Sequence, residues 1–255
     1  MRQIILTTIV LLLASWAQAA TNTDQQEQAI RTADSLYRAA DYEGAAEVYE
    51  AILSSGYTNA ALHYNLANAY YRLDLYGPAI LNYERALRLD PGMSDARQNL
   101  ALTKSKTIDR IASLPSFFLT DWYNTLTTHI SASVWRILIF ILLALACAAT
   151  AILILSGRIA LRKGALATLI VSCLLLAFAV WMMLSTMARA NNHNEVIVME
   201  PSMAVKSSPE YQSTDKLILH EGTKATIAET LPGWYKLALS DGTSGWCENA
   251  AVEKI

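Results

Sequence analysis

Four patterns of apolar and polar positions follow one another along the chain, and each predicts a different kind of element. The first is a short apolar run, Ile4 to Ala14, behind the basic residue Arg2; it closes on the small-x-small sequence Ala17-Gln18-Ala19. The second extends from Gln26 to Arg110 and carries apolar and small residues at helical spacing. The third is a pair of runs without charge, 19 residues from Ile137 to Leu155 and 23 from Ala165 to Met187. After Asn191-Asn192-His193-Asn194 the pattern becomes short alternating segments. Seven strands are predicted there: Glu195–Met199, Met203–Lys206, Leu217–Leu219, Lys224–Glu229, Trp234–Leu239, Thr243–Cys247 and Val252–Ile255. Turn residues divide them at Ser208-Pro209, Glu221-Gly222, Pro232-Gly233 and Asp241-Gly242.

The helical segment repeats itself. Offset by 34 residues, Tyr37 falls on Tyr71, Arg38 on Arg72, Tyr42 on Tyr76, Ala45 on Ala79, Tyr49 on Tyr83, Glu50 on Glu84 and Leu53 on Leu87. The second copy places Leu66, Ala67 and Tyr70 on one helix and Ala79, Tyr83 and Ala86 on the next, with Pro91 after it. This period and pattern resemble the tetratricopeptide repeat family. A third, partial copy follows, because Asn65-Leu66-Ala67 recurs as Asn99-Leu100-Ala101; residues 94–106 form a candidate capping helix. Stable stacks need roughly three repeats, so two and a half predict completion by a partner protein, a second copy or the membrane-proximal segment. The resemblance implies that first helices line a concave, partner-binding groove, presenting Asp34, Tyr37 and Arg38 from the first copy and Tyr64, Asn68, Tyr71 and Arg72 from the second. Solvated or inter-repeat packing roles compete with that reading at each residue. Asn65 and Asn68 match part of the carboxylate clamp of some peptide-binding repeats, but the matching lysines are absent.

Seven short strands in a C-terminal segment of this length predict a small β-barrel. The series Val205-Lys206-Ser207-Ser208-Pro209, Gly233-Trp234-Tyr235-Lys236-Leu237 and Asp241-Gly242-Thr243-Ser244-Gly245-Trp246 resembles bacterial SH3-like domains, with Lys206 where the family usually has Arg. The resemblance implies binding of cell-wall peptides or proteins through Trp234, Tyr235 and Trp246. In so small a barrel, a core role for the tryptophans competes.

Each uncharged run is long enough to cross a bilayer, and neither has the polar face of a surface helix. Their connection from Ser156 to Gly164 carries Arg158, Arg162 and Lys163, against Arg136 and Arg189 at the opposite ends, which predicts a cytoplasmic loop. The N-terminal run, too short to span, reads as a secretory signal peptide cleaved after Ala19. Both signals put the two flanking domains outside the cytoplasm. Phe118, Trp122 and Leu126, spaced four apart after Pro115, predict either a helix along the outer membrane surface over residues 116–130 or a loose linker. The expected organisation is therefore multidomain: signal peptide 1–19, all-α repeats 26–110, membrane-proximal linker 111–133, a transmembrane helical hairpin of 134–156 and 165–187 around a cytoplasmic loop 157–164, and a small all-β SH3-like barrel 194–255.

Composition sharpens this picture in three places. A 53% hydrophobic content and a net charge of −2 suit an integral membrane protein whose soluble parts are mildly acidic: residues 21–110 hold 9 Lys/Arg against 12 Asp/Glu, and 191–255 hold 5 against 9. Neither part supplies the basic face that nucleic-acid binding requires. Cys147 and Cys173 lie in the apolar runs and only Cys247 in a soluble segment; with His63, His129, His193 and His220 scattered singly, no metal site, cofactor or disulfide framework is indicated. The one nominal catalytic match, Ser213-Thr214-Asp215-Lys216, lacks the companion motifs of penicillin-recognising enzymes, so no catalytic residue is assigned and the chain reads as a non-enzyme. The order of parts as a whole is similar to that of the Bacteroides aerotolerance (Bat) family. That resemblance implies an inner-membrane envelope scaffold beside other Bat components, some bearing von Willebrand factor A-type domains, in a process linked by name to oxygen tolerance; peptidoglycan is the further partner the SH3-like resemblance implies.

Overall fold

The computed structural model describes residues 25–112, 117–190 and 194–255. The signal-peptide reading of residues 1–19 and the position of Pro115 lie outside them. Five helices come first: α1 over 25–38, α2 Tyr42–Ser54, α3 Ala60–Arg72, α4 Tyr76–Leu89 and α5 Ser94–Lys104. Local chemistry marks their starts. Asp41 accepts the Gly44 N–H at 3.0 Å to cap α2, and Asn59 accepts the Leu62 N–H at 2.7 Å to cap α3. The turn inside each helical pair uses a left-handed residue at equivalent repeat positions, Ala40 at φ 62° and Asp74 at φ 58°.

Small residues let these helices pack closely. Ala33, Ala45, Ala69, Tyr49 and Leu66 are buried between the first pair and α3. A second cluster gathers Ala67, Ala79, Ile80, Tyr83, Ala86, Ala96 and Leu100 around α4.

Helix α6, Phe118–His129, precedes two long helices, α7 Ala132–Leu155 and α8 Ile159–Ala190. Both are long and apolar enough to cross a membrane. They pack as an antiparallel pair through residues seven apart: Trp135, Leu142 and Ala149 are buried on α7, and Ala165, Ser172, Ala179 and Thr186 on α8. Small residues at such a seam allow close backbone approach. With 32 residues at ~1.5 Å each, α8 is roughly 48 Å long, more than the ~30 Å hydrocarbon core. The connection is shorter than the expected 157–164 loop, because α8 already begins at Ile159 and carries Arg162 and Lys163 on its first turns. Leu, Arg, Lys and Ala are good helix formers, and the single Gly164 costs only about 1 kcal/mol, so the helix runs past the apolar segment. Helix α6 lies against this pair: Trp122 stacks on Phe178 at 6.2 Å and Tyr123 on Trp181 at 5.7 Å.

The C-terminal segment forms seven strands: β1 Glu195–Val198, β2 Met203–Lys206, β3 Asp215–Leu219, β4 Lys224–Leu231, β5 Trp234–Ala238, β6 Ser244–Glu248 and β7 Val252–Lys254. They make one sheet in the order β3-β2-β6-β5-β4-β1-β7, with antiparallel pairing throughout. Residues from strands at opposite ends of that order, Leu219 of β3 and Val252 of β7, share one core with Val205, Leu237 and Cys247, so the sheet curls round on itself. Strand β4 runs past the expected Glu229 to Leu231, where it pairs with Trp234 across a turn at Pro232-Gly233.

Within this chain it is the sheet that packs against the repeat stack. Ile197 of β1 and Ile255 at the end of the sheet enter the α4 cluster and are buried there. Strand β1 is therefore two-faced, because alternation sends Val196 and Val198 into the sheet core and Ile197 into the repeats.

Candidate partner-binding site

Among the repeat-groove candidates, Asp34, Tyr37, Arg38 and Asn68 line one cavity of about 260 Å³ together with Tyr49 and Asn65. Its hydrogen bonds repeat with the sequence. In the first copy the Tyr49 hydroxyl donates to Asp34 Oδ1 at 2.5 Å; in the second, the Tyr83 hydroxyl donates to Asn68 Oδ1 at 2.6 Å. The next repeat adds a donor each time, Asn65 Nδ2 to Asp34 Oδ1 at 3.4 Å and Asn99 Nδ2 to Asn68 Oδ1 at 3.0 Å. Tyr49 escaped the sequence reading as a site residue and Asn65 entered it only as part of an incomplete carboxylate clamp, although the 34-residue match of Tyr49 with Tyr83 and of Asn65 with Asn99 was the signal for them.

The electrostatics follow from burial. Desolvation, then the bond to Asp34, raises the Tyr49 hydroxyl above the usual phenol range, and desolvation does the same to Tyr83 and Tyr37. These phenols stay neutral donors. The charges facing the cavity are the Asp34 carboxylate and the exposed Arg38 guanidinium.

The other groove candidates sit elsewhere. Tyr64 and Tyr71 are half-buried against the α4 cluster; Tyr64 lies 6.1 Å from Tyr83 and Tyr71 6.1 Å from Tyr76. Arg72 places its guanidinium 4.6 Å above the Tyr42 ring, joining one repeat to the previous one.

Residues 60–93 match the tetratricopeptide repeat family. No curated protein matches the chain. The matched tetratricopeptide repeat comprises α3, α4 and the turn that follows, and it supplies Asn65 and Asn68 to the cavity. Such repeats act as protein-interaction scaffolds whose stacked helices present a concave binding surface, and they are typically non-catalytic.

On the sheet, Trp234 and Trp246 are each only 8% exposed. Trp234 packs against Tyr211, ring centroids 5.2 Å apart, and Lys236 covers Trp246 at 5.7 Å. Tyr235 is half-buried with Lys254 above its ring at 5.5 Å. A barrel this small spends its large aromatics on packing, so these side chains offer a partner far less surface than the sequence reading implied. Tyr211, 71% exposed, is the aromatic that does face solvent there. The Ser213/Lys216 motif is not assembled for catalysis: Ser213 Oγ bonds the Ser207 and Ser208 hydroxyls, while Lys216 donates to the Ser244 carbonyl at 2.6 Å. Cys247 is buried, and desolvation pushes its thiol up to about 12, which removes it as a nucleophile.

A polar junction fixes the sheet to the tetratricopeptide repeat. Glu84 of α4 accepts from Lys104 at 2.7 Å and from Lys224 of β4 at 3.0 Å, and Lys224 also pairs with Glu195 at 3.0 Å. Desolvation alone would raise Glu84, but the Lys224 and Lys104 charges prevail and hold its carboxyl down at about 2. Asp109 accepts from the His220 backbone N–H at 2.7 Å and the Thr223 hydroxyl at 2.7 Å, and its Oδ1 lies 2.8 Å from His220 Nδ1.

Proposed function

We propose that this chain is a membrane-anchored scaffold of the bacterial cell envelope, which captures a protein segment in its repeat groove and holds it at a set height above the bilayer. The observation that carries the reading is the cavity formed by Asp34, Arg38, Asn65 and Asn68 in a tetratricopeptide stack that is docked through Ile197 and Ile255 to the sheet. One carboxylate, one guanidinium and two amides at a groove suit an extended peptide, whose backbone needs both donors and acceptors.

Membrane insertion is part of the proposal. Outward-facing residues of the long helices include Phe140, Ile154, Leu155 and Leu174, all exposed, and a water-facing surface of that kind would be costly. The start of α7 and the end of α8 lie at the same end of the antiparallel pair, which supports a topology with the repeats and the sheet together outside the cytoplasm and Arg158, Arg162 and Lys163 inside. Participation in a Bat-type envelope complex belongs to the same proposal and rests on the order of parts.

The experiment is in-membrane photocrosslinking of the full-length chain, comparing wild type with Arg38→Glu and Asn65→Ala. A specific protein band present in wild type and absent in both variants supports the groove; identical profiles sink it. The second reading, a cell-wall sensor working through an SH3-like sheet, has exposed Tyr211 against Trp234 in its favour. Purified sacculi should pellet the detergent-solubilised wild type but not Tyr211→Ala if that reading holds.

A further inference from the structure

A cavity of about 390 Å³ lies where the repeats, the start of α7, the end of α8 and the sheet meet. Five cationic side chains line it against two carboxylates, Glu84 and Glu195. Both carboxylates are already committed, Glu84 to Lys104 and Lys224 and Glu195 to Arg88 and Lys224. Three arginines remain, each from a different element: Arg97 of α5, Arg136 of α7 and Arg189 of α8. Their bonds go to neutral oxygens only. Arg97 donates to the Pro91 carbonyl, Arg136 to Ser133 Oγ at 2.7 Å, and Arg189 to Asn124 Oδ1 at 3.3 Å and Thr127 Oγ1 at 3.2 Å. Among the described residues none of the three has a carboxylate partner.

Three like charges gathered round one cavity repel each other, and an anion placed among them converts repulsion into attraction. Guanidinium groups match the oxygens of a phosphate in bidentate geometry. Ser131 lines the same wall and brings a hydroxyl, a neutral donor. The apolar part of the lining, Leu89 and Met187, adjoins exposed Val134 and Leu184 on the long helices. A charged head with an apolar continuation along α7 and α8 is the shape of an anionic phospholipid.

We propose that this cavity binds the phosphate of an anionic phospholipid headgroup through Arg97, Arg136 and Arg189. The proposal rests on the membrane reading above. Because the three arginines come from the repeats and from both long helices, the bound headgroup ties the repeat domain to the bilayer and sets the direction in which the groove faces.

Native mass spectrometry of the full-length chain in detergent, titrated with phosphatidylglycerol or phosphatidylcholine, tests this. The expected result is a preference of about tenfold for phosphatidylglycerol, lost in the combined Arg97→Gln, Arg136→Gln, Arg189→Gln variant and kept in Arg31→Gln on the far end of the repeats. Arg97→Gln alone, on the soluble repeat domain, should weaken the preference several-fold and keeps the test decisive if the triple variant does not fold. Inorganic phosphate that binds as well to wild type, with phosphatidylglycerol gaining nothing over it, overturns the lipid as occupant. Equal binding by wild type and the Arg97→Gln and triple variants, or no preference between the two lipids, overturns the site. Alkaline extraction of native membranes is the separate readout: release of the chain would end the membrane reading, whatever the lipid titration gives.

Discussion

Glu84 on helix α4 and Lys224 on strand β4, 140 residues apart in the chain, pair at 3.0 Å and form the centre of the junction between repeats and sheet. Its pH dependence follows from the two shifts. Glu84 is depressed to about 2 in the folded chain, below the ~4.3 of a free glutamate, so its contribution is complete above that ordinary value and fades as pH falls toward 2. Lys224 is raised, first against desolvation and then by Glu84 and Glu195. Its contribution is therefore present below the ordinary lysine value and is lost as pH rises through the folded one. Docking should be constant from about pH 5 to pH 10. Glu84→Gln should cost about 2 kcal/mol, less than a fully buried pair because Lys224 retains some solvent. Spin labels at Ser94 and Ser213 should report one distance at pH 7, a distribution that broadens as pH falls from the ordinary glutamate value toward 2, and a broad distribution at pH 7 in Glu84→Gln; an unchanged narrow peak in the variant and near pH 2 would refute the electrostatic account.

Gly222 sits at the same junction, with φ 81°. A Cβ there would lie 2.8 Å from Ile80 Cδ1 and 2.8 Å from Thr107 Cγ2. Gly222→Ala should therefore force the sheet off the repeats as well as strain the turn, at a cost of about 2 kcal/mol or more. Hydrogen exchange at Ile197 and Val198 reads this directly, since those amides should exchange faster in the variant. Equal rates would show that the junction gives way without cost.

The left-handed turn residues make opposite predictions. Ala40, at φ 62°, has no polar side chain to offset the conformation, which costs an L-residue roughly 1–2 kcal/mol. Ala40→Gly should raise stability by about 0.5 kcal/mol after the entropy of glycine is subtracted. Asp74, at φ 58°, accepts from the Tyr76 hydroxyl at 2.8 Å, so Asp74→Ala should lower it. Denaturant midpoints of the full chain in detergent decide both; a destabilising Ala40→Gly contradicts the strain argument.

Topology has its own test. A cysteine at Ser213, in a Cys147→Ala, Cys173→Ala background, should react with a membrane-impermeant maleimide once the outer membrane alone has been opened, while one at Gly157 should not. Cys247 can stay, because it is buried in the sheet. Reversed labelling would place the repeats and sheet in the cytoplasm and remove the envelope reading.

Much of this is legible in the sequence. All seven strands were legible as short apolar segments between turn residues, and β2 spans the Met203–Lys206 of the sequence reading without change. The groove was half legible. The period placed Asp34 and Asn68 at matching positions, but it did not show that Tyr49 and Asn65 bond to the same Asp34 oxygen. Tyr71 and Trp246 stayed open between binding and packing, because an aromatic at a repeat or strand position looks the same in sequence whether its ring meets a partner or a neighbouring element. The unbroken Val196-Ile197-Val198 run of β1 carries the signature of the junction, because a strand apolar on both faces is covered on both.

By itself the sequence determined the kind and order of elements: a 34-residue helical period, two uncharged runs of spanning length and a series of short strands. Each of these is a property of one contiguous segment, set by backbone periodicity and the water-avoidance of nearby side chains. Only the tertiary structure decided that Ile197 and Ile255 complete the repeat core, that Lys224 neutralises Glu84, and that Arg97, Arg136 and Arg189 meet at one cavity. Those relations join residues far apart in the chain, and they exist only where shape and charge match across surfaces that no local pattern describes.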